Sequence, residues 1–264
     1  MWIDVIDQET PTLVTQARFE GVKLFQPGPD GPGGHWTEAA SFNIAHTGFC
    51  RGYIDHTNTE ADTVMVVASE QSKVVVSKLV QTFIRHIASL VRSGSGNVMS
   101  VTSTGTNVAR LMAGYEDGTV VLWDWSNSVQ LMEVSLASQV GTLLSLAWDG
   151  VKNRGLVAGT ERTVVVIDDN LNIVKTRDIT NPGVASTMVR PDGNIVICGG
   201  WDGRLRLFSW VKPDKLKPLA VLKYHSDSVE TLLCSDQCGG RLEGRRNIIF
   251  AGSKDGKISM WDIY

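Results

Sequence analysis

Three stretches of this chain align with one another without a gap, and no other feature constrains its fold as strongly. They are Ala113–Asp124 (AGYEDGTVVLWD), Cys198–Ser209 (CGGWDGRLRLFS) and Ala251–Asp262 (AGSKDGKISMWD). Each opens on small residues, carries Asp-Gly at 117–118, 202–203 or 255–256, and runs through period-two apolar alternation into a large aromatic, Trp123, Phe208 or Trp261. Asp-Gly suits a two-residue hairpin turn, because glycine reaches positive φ without a Cβ clash. The alternation that follows (Val120 and Leu122, Leu205 and Leu207, Ile258 and Met260) describes a strand burying one face against a neighbour. Ala158–Asp168 and Ala68–Ser77 repeat the plan one residue shorter and without Asp-Gly, so their turns must differ. At the aromatic position the copies fall at Ser77, Trp123, Ile167, Phe208 and Trp261, separations of 46, 44, 41 and 53 residues. That is the period of a four-stranded propeller blade, and the expected fold is an all-β WD-repeat β-propeller.

The remaining strands fit between these hairpins. Inner strands are expected over Ile44–Tyr53, Asn97–Val101, Thr142–Trp148, Val184–Arg190 and Ser228–Cys234, and outer strands over Val129–Leu136, Leu171–Ile179 and Lys217–Tyr224. Phe83–Val91 has apolar spacing that also suits a short helix, but its register predicts an outer strand. Trp2–Asp7 reads as the third strand of a blade whose first two strands are absent, and the chain stops at Tyr264 after the last blade's third strand. About five complete blades plus a partial one are therefore expected in a single domain over 1–264, incomplete at its N-terminus and with its ring closure incomplete. The Pro/Gly-rich segment 27–34 reads as a surface loop between blades.

With 42% hydrophobic and 20% charged residues and a formal net charge of -3, the chain has the composition of a soluble globular protein, with no bias toward a nucleic-acid or membrane partner. Asp4 and Asp7 interrupt the apolar core a signal peptide would need, and no apolar run is long enough to span a bilayer, so an intracellular protein is expected. The cysteines Cys50, Cys198, Cys234 and Cys238 form no CxxC pair and read as reduced structural thiols. His35, His46, His56, His86 and His225 show no metal-site spacing, and no GxSxG, P-loop or HExxH motif is present. The expectation is a protein that is not an enzyme and takes no cofactor or metal.

Six blocks carry a narrower likeness: His46–Cys50 (HTGFC), Ala113–Asp124, Thr180–Gly183 (TNPG) with Arg190–Asp192, Gly200–Asp202 (GWD) with Arg206–Phe208 and Trp210, Pro218–Leu222 with His225-Ser226, and Gly252–Asp255 (GSKD) up to Tyr264. In these the chain resembles the guanine-nucleotide-binding protein β-subunit-like protein 1 group, whose fungal relative is ASTRA-associated protein one. The resemblance implies a seven-bladed propeller, against which this chain would lack about a blade and a half at its N-terminus. It further implies a cytoplasmic and nuclear adaptor, monomeric within a larger complex, that works with the TTT co-chaperone complex in maturation of phosphatidylinositol-3-kinase-related kinases. In fungi the relative is counted in the chromatin-linked ASTRA assembly.

Trp123, Phe208 and Trp261 read as core residues wedged between blades. Asp117, Asp202 and Asp255 read as hydrogen-bond acceptors within their turns, and the resemblance to WD propellers pairs such an Asp with a His like His225 and, through it, with the Trp. Because Ala251 stands at the usual Ser/Thr position, that network is expected to be partial. Glu116, Trp201 and Lys254, each just before a turn Asp, are candidates for protein binding at loops on the propeller's narrower face, with Tyr115 and Arg162 on comparable turns. Trp201 is the sharpest, since an exposed Trp is a common interface anchor; packing against an adjacent loop is the alternative. Arg241, Arg245 and Arg246 form a basic cluster, but Glu243 and the lack of an interleaved aromatic favour a solvated loop over a nucleic-acid site. A cullin-ligase substrate receptor is disfavoured because Trp123-Asp124-Trp125-Ser126 and Trp261-Asp262-Ile263-Tyr264 lack the Trp-Asp-x-Arg pattern. A G-protein β signalling role lacks the N-terminal coiled-coil helix it would call for.

Overall fold

The computed structural model describes residues 2–6, 11–46, 48–55, 63–70, 72–80, 82–94, 96–105, 109–235 and 247–263, so His56, Cys238 and the Arg241, Arg245, Arg246 cluster lie outside the described residues. The described residues form six antiparallel sheets. In the first, β1 (Trp2–Ile6), β2 (Thr12–Ala17), β3 (Gly21–Pro27) and β4 (Trp36–Phe42) lie side by side in chain order. The second follows the same plan with β5 (Tyr53–Asp55), β6 (Thr63–Ala68), β7 (Lys73–Val80) and β8 (Phe83–Val91), and the third with β9 (Val98–Ser103), β10 (Arg110–Tyr115), β11 (Thr119–Asp124) and β12 (Val129–Ser135). After a single helical turn, α1 (Ala137–Val140), come β13 (Leu143–Asp149), β14 (Arg154–Gly159), β15 (Thr163–Asp168) and β16 (Ile173–Asp178). The fifth sheet holds β17 (Val184–Val189), β18 (Ile195–Gly200), β19 (Arg204–Lys212) and β20 (Lys215–Lys223), and the sixth only β21 (Val229–Ser235), β22 (Ile248–Ser253) and β23 (Ile258–Asp262).

The strands divide between two compact units. One contains the first two sheets and most of the third; the other contains the fourth to sixth sheets together with the Asp117–Val120 turn. Each is held by clusters between successive sheets. Val14, Val22 and Leu24 pack with Met65, Val67 and Leu79, while the opposite face of the second sheet (Val64, Val66, Val74, Val76) packs with Leu111, Val121 and Trp123. In the other unit β18 shows why the pattern is two-sided: Val196 and Cys198 face the fourth sheet with Phe208 and Trp210, whereas Ile195 and Ile197 face the sixth with Val229, Ile249 and Ala251. Successive side chains of a strand point to opposite faces, so a strand between two neighbours must be apolar at every position. Each such aliphatic side chain contributes on the order of 1.5–3 kcal/mol by burial.

About five complete sheets and a partial one are present as expected, but the three-stranded sheet is the last. Trp2–Ile6 is not a third strand: it is an edge strand of a complete sheet, paired with β2 from Trp2↔Gln16 to Ile6↔Thr12. The Pro/Gly segment connects β3 to β4 inside the first sheet rather than linking sheets; Gly28 N donates to the His35 carbonyl (2.9 Å) and closes the loop. The expected inner strand over Ile44–Tyr53 shrinks to Tyr53–Asp55, because its first carbonyls are taken by turns: His46 O accepts from Phe19 N (2.9 Å) and Ala45 O from Ser69 Oγ (2.9 Å). Phe83–Val91 is a strand, paired with β7 from Lys73↔Val91 to Val80↔Phe83.

The Asp-Gly turns are three-residue loops rather than two-residue ones. Gly199 pairs with Leu205, and Gly203 N donates to Gly200 O (3.2 Å), leaving Trp201, Asp202 and Gly203 at the tip. Only the glycine takes positive φ: Gly118 +82°, Gly203 +73°, Gly256 +77°. This is a type I turn closed by a left-handed residue, which needs one glycine where a two-residue type I′ turn would need two positive-φ residues. The shorter copies differ as expected: Ser72 adopts φ 59° in one, and Thr160–Arg162 uses no left-handed residue in the other.

Candidate functional site

One hydrogen bond recurs in four sheets. The first residue of each hairpin tip donates its N–H to the residue just before that sheet's first strand: Glu116 to Asn97 O (2.9 Å), Thr160 to Thr142 O (3.0 Å), Trp201 to Gly183 O (3.0 Å) and Lys254 to Ser228 O (3.0 Å). The column of tip residues singled out from the sequence is therefore a structural column, each member fixed at its backbone while its side chain is left for other uses.

In the fifth sheet that column carries the densest arrangement. Asp202 accepts a forked pair of bonds from the Arg206 guanidinium, 3.0 Å from Nη1 and 2.7 Å from Nη2. Nη2 also donates to Thr180 Oγ1 (3.1 Å) and Asn181 Oδ1 (3.4 Å), and Asp202 Oδ1 accepts from Arg204 N (3.3 Å). A forked guanidinium–carboxylate pair fixes orientation as well as distance. Burial opposes ionisation of Asp202, but the bonds and charge of Arg206, then Arg204, outweigh it and hold the carboxyl below its usual range. The Thr-Asn-Pro-Gly block, the Gly-Trp-Asp block and Arg206 thus form one knot. Gly183, at φ +83°, lies under the Trp201 ring, where a Cβ would come within 2.2 Å of two ring carbons. Trp201 packs on this loop with one face and leaves 45% of its surface exposed.

The sixth sheet has a different network at the equivalent place. His225 Nδ1 lies 3.1 Å from Asp255, His225 Nε2 lies 2.8 Å from Ser259 Oγ, and Trp261 Nε1 donates to the same hydroxyl at 2.8 Å. The network is complete, correcting the expectation drawn from Ala251. Ser259 supplies the hydroxyl from the strand after the turn, two residues before Trp261 and on its face. The signal lay in the repeat itself: the same column holds Val121, Arg206 and Ser259, all buried, and only its polar members can tie a turn Asp to the sheet. Burial again opposes the Asp255 charge, and the Ser226 and Lys257 N–H groups with His225 hold its pKa down at about 2.

The other candidates separate. Tyr115 is fully buried, with the Arg92 guanidinium 5.0 Å from its ring, so it is corrected from a surface position to a core one. It is the last residue of β10, not part of the tip. Glu116 is exposed and accepts from Asn97 Nδ2 (3.0 Å), Lys254 pairs with Glu230 (3.5 Å), and Arg162 is exposed while its carbonyl accepts from Ile179 N (2.7 Å). Asp117 accepts from Thr119 N (3.1 Å). Trp123 and Phe208 are buried between sheets, and Trp261 is partly buried against the fifth. In the other unit the His46–Cys50 block presents Phe49, 73% exposed, with the Arg18 guanidinium 4.9 Å from its ring and equally close to that of Phe19; this exposed stack had no signal in the repeat pattern.

Residues 77–124, 178–209 and 216–262 match the WD domain, G-beta repeat. The chain is 35% identical over 158 residues to guanine nucleotide-binding protein subunit beta-like protein 1 of Mus musculus, covering 58% of this chain and 44% of that protein. It is 32% identical over 205 residues to ASTRA-associated protein 1 of Schizosaccharomyces pombe, covering 71% of this chain and 53% of that protein, so it spans about half the length of the relatives it matches. In fold it is similar to Saccharomyces cerevisiae Sqt1, with a TM-score of 0.73 at 12% identity over 96% of this chain and 68% of that one. The chain thus carries WD repeats on an all-β propeller fold and is similar to guanine nucleotide-binding protein subunit beta-like protein 1 and to ASTRA-associated protein 1.

Proposed function

We propose that this chain is a non-catalytic protein-interaction scaffold, an adaptor in an ASTRA-type assembly that acts with the TTT co-chaperone complex on phosphatidylinositol-3-kinase-related kinases, in the cytoplasm and nucleus. The observation that carries the scaffold reading is Trp201: a large aromatic, half exposed, on a turn whose backbone, glycine bed and neighbouring ion pair are all fixed. A pre-ordered aromatic loses little freedom on binding, which is what an interface anchor requires. The assembly reading is supported by the relationship to ASTRA-associated protein 1. Affinity capture of the tagged chain from cells, with mass spectrometry, tests both. Recovery of TTT components by the wild type and their loss with Trp201→Ala is the expected result; recovery of TTT components by both forms removes Trp201 from the interface, and recovery of chaperones and proteasome subunits alone overturns the assembly reading.

A further inference from the structure

Beside the knot, a groove of about 170 Å³ opens between the fourth and fifth sheets, lined by Arg177–Thr180, Arg206–Phe208, Pro218, Ala220 and Val221. Register shows which side chains share its walls. On β16, Lys175 and Arg177 lie opposite Val166 and Val164, which pack toward the fifth sheet, so both cations stand on the groove face. On the fifth sheet, Phe208, Arg206 and Arg204 share that face, and their partners across the strand pair are Pro218, Val221 and Lys223. The floor is therefore apolar (Ile179, Phe208) and Arg177 lines it, with Lys175 and Lys223 on the same face by register and Arg204 turned to Asp202 at 3.6 Å, in a chain whose formal net charge is -3. Arg206 is committed to Asp202, and the one rim carboxylate on the β16 side, Asp178, accepts from Thr163 Oγ1 at 3.0 Å. β20 is exposed on both faces from Lys217 to Val221, with Val221 50% accessible at the groove edge. Pro218 lacks an N–H, so this edge is a poor template for strand addition, and recognition must come from side chains.

We infer that this groove is a docking site for an acidic linear segment of a partner protein: an aliphatic side chain fills the apolar floor while flanking carboxylates meet Lys175, Arg177 and Lys223. Basic side chains around an apolar slot complement such a segment in charge, whether or not Trp201 anchors a partner. The probe is a fluorescein-labelled peptide of glutamates flanking a central leucine, followed by anisotropy with the full chain at physiological salt. Binding is expected, weakened roughly tenfold or more in the Lys175→Glu/Lys223→Glu double variant and lost in Val221→Trp, whose ring covers the slot from the groove face of β20. Lys217→Glu, on the other face of β20, leaves it within about twofold because distant charges are screened. Replacing the leucine of the probe by serine removes most of the affinity. No binding of the leucine peptide, equal binding of the serine peptide, or indifference to the double reversal overturns the proposal. Melting curves confirm that each variant is folded, and if Val221→Trp is not, the surface charge reversals decide alone.

Discussion

At the scale of single residues, a few side chains with fixed partners hold the tips of the fifth and sixth sheets. Gly183 is the most sensitive. An alanine there would have to hold a left-handed φ and push its Cβ into the Trp201 ring; Gly183→Ala should cost about 1–3 kcal/mol and weaken partner capture together with Trp201→Ala. Trp201→Ala itself should leave the melting temperature close to wild type, because nearly half the ring is already in solvent. Ser259→Ala removes the hydroxyl shared by His225 and Trp261. Leaving the buried His225 Nε2 and the partly buried Trp261 Nε1 without that partner costs about 1–3 kcal/mol, which in a chain of this size lowers the melting temperature by several degrees, on the order of 2–4 °C per kcal/mol. Calorimetry on the three variants checks the set: only Trp201→Ala should bind poorly while melting normally.

At the scale of elements, the sheet connections carry buried charge that the repeat pattern did not disclose. Arg154 opens β14 almost fully buried, donating from Nε to Asp149 (3.2 Å) and from Nη2 to Gly193 O (2.7 Å) and Trp210 O, with its guanidinium 3.9 Å from the Trp210 ring. It ties the fourth sheet to the fifth. Removing one partner of such a pair strands the other charge, so Asp149→Ala should destabilise by about 3–5 kcal/mol, measurable as a shift of the denaturant midpoint. Most elements were legible in the sequence because their causes are local: the Asp-Gly-aromatic hairpins, the alternation of β9 and β13, and β8, where register outranked a helix-like spacing. What could not be read locally depends on partners far along the chain. β2 to β4 carry no Asp-Gly-aromatic signature, and Trp2–Ile6 finds its place only by pairing with β2. Tyr115 looked like a tip residue until the three-residue loop moved the tip past it. The Arg206 knot draws on Thr180 and Asn181, some 25 residues upstream, so its members were visible as blocks while their contact was not.

For the whole molecule, the polar ties and the buried thiols set how stability responds to conditions. The carboxyls of Asp255 and Asp192 are held at about 2 and that of Asp202 below its usual range, in each case by hydrogen-bond donors that outweigh burial. An unfolded aspartate titrates near 4, so these groups contribute stability that is fully present above about pH 4 and is lost as pH falls toward 2. Melting temperature should fall across that window, and less steeply in Asp202→Asn. Burial pushes the Cys50 and Cys198 thiols up to about 12, so both should resist iodoacetamide at neutral pH until the chain unfolds. Neither property requires a partner; the scaffold function does. The most direct test places the photo-crosslinking residue p-benzoylphenylalanine at position 201 of the tagged chain in cells. Our account predicts a covalent adduct with a TTT or ASTRA-type component that competes with the wild-type interaction. An incorporated, folded protein that captures the assembly yet forms no adduct from position 201 would contradict it.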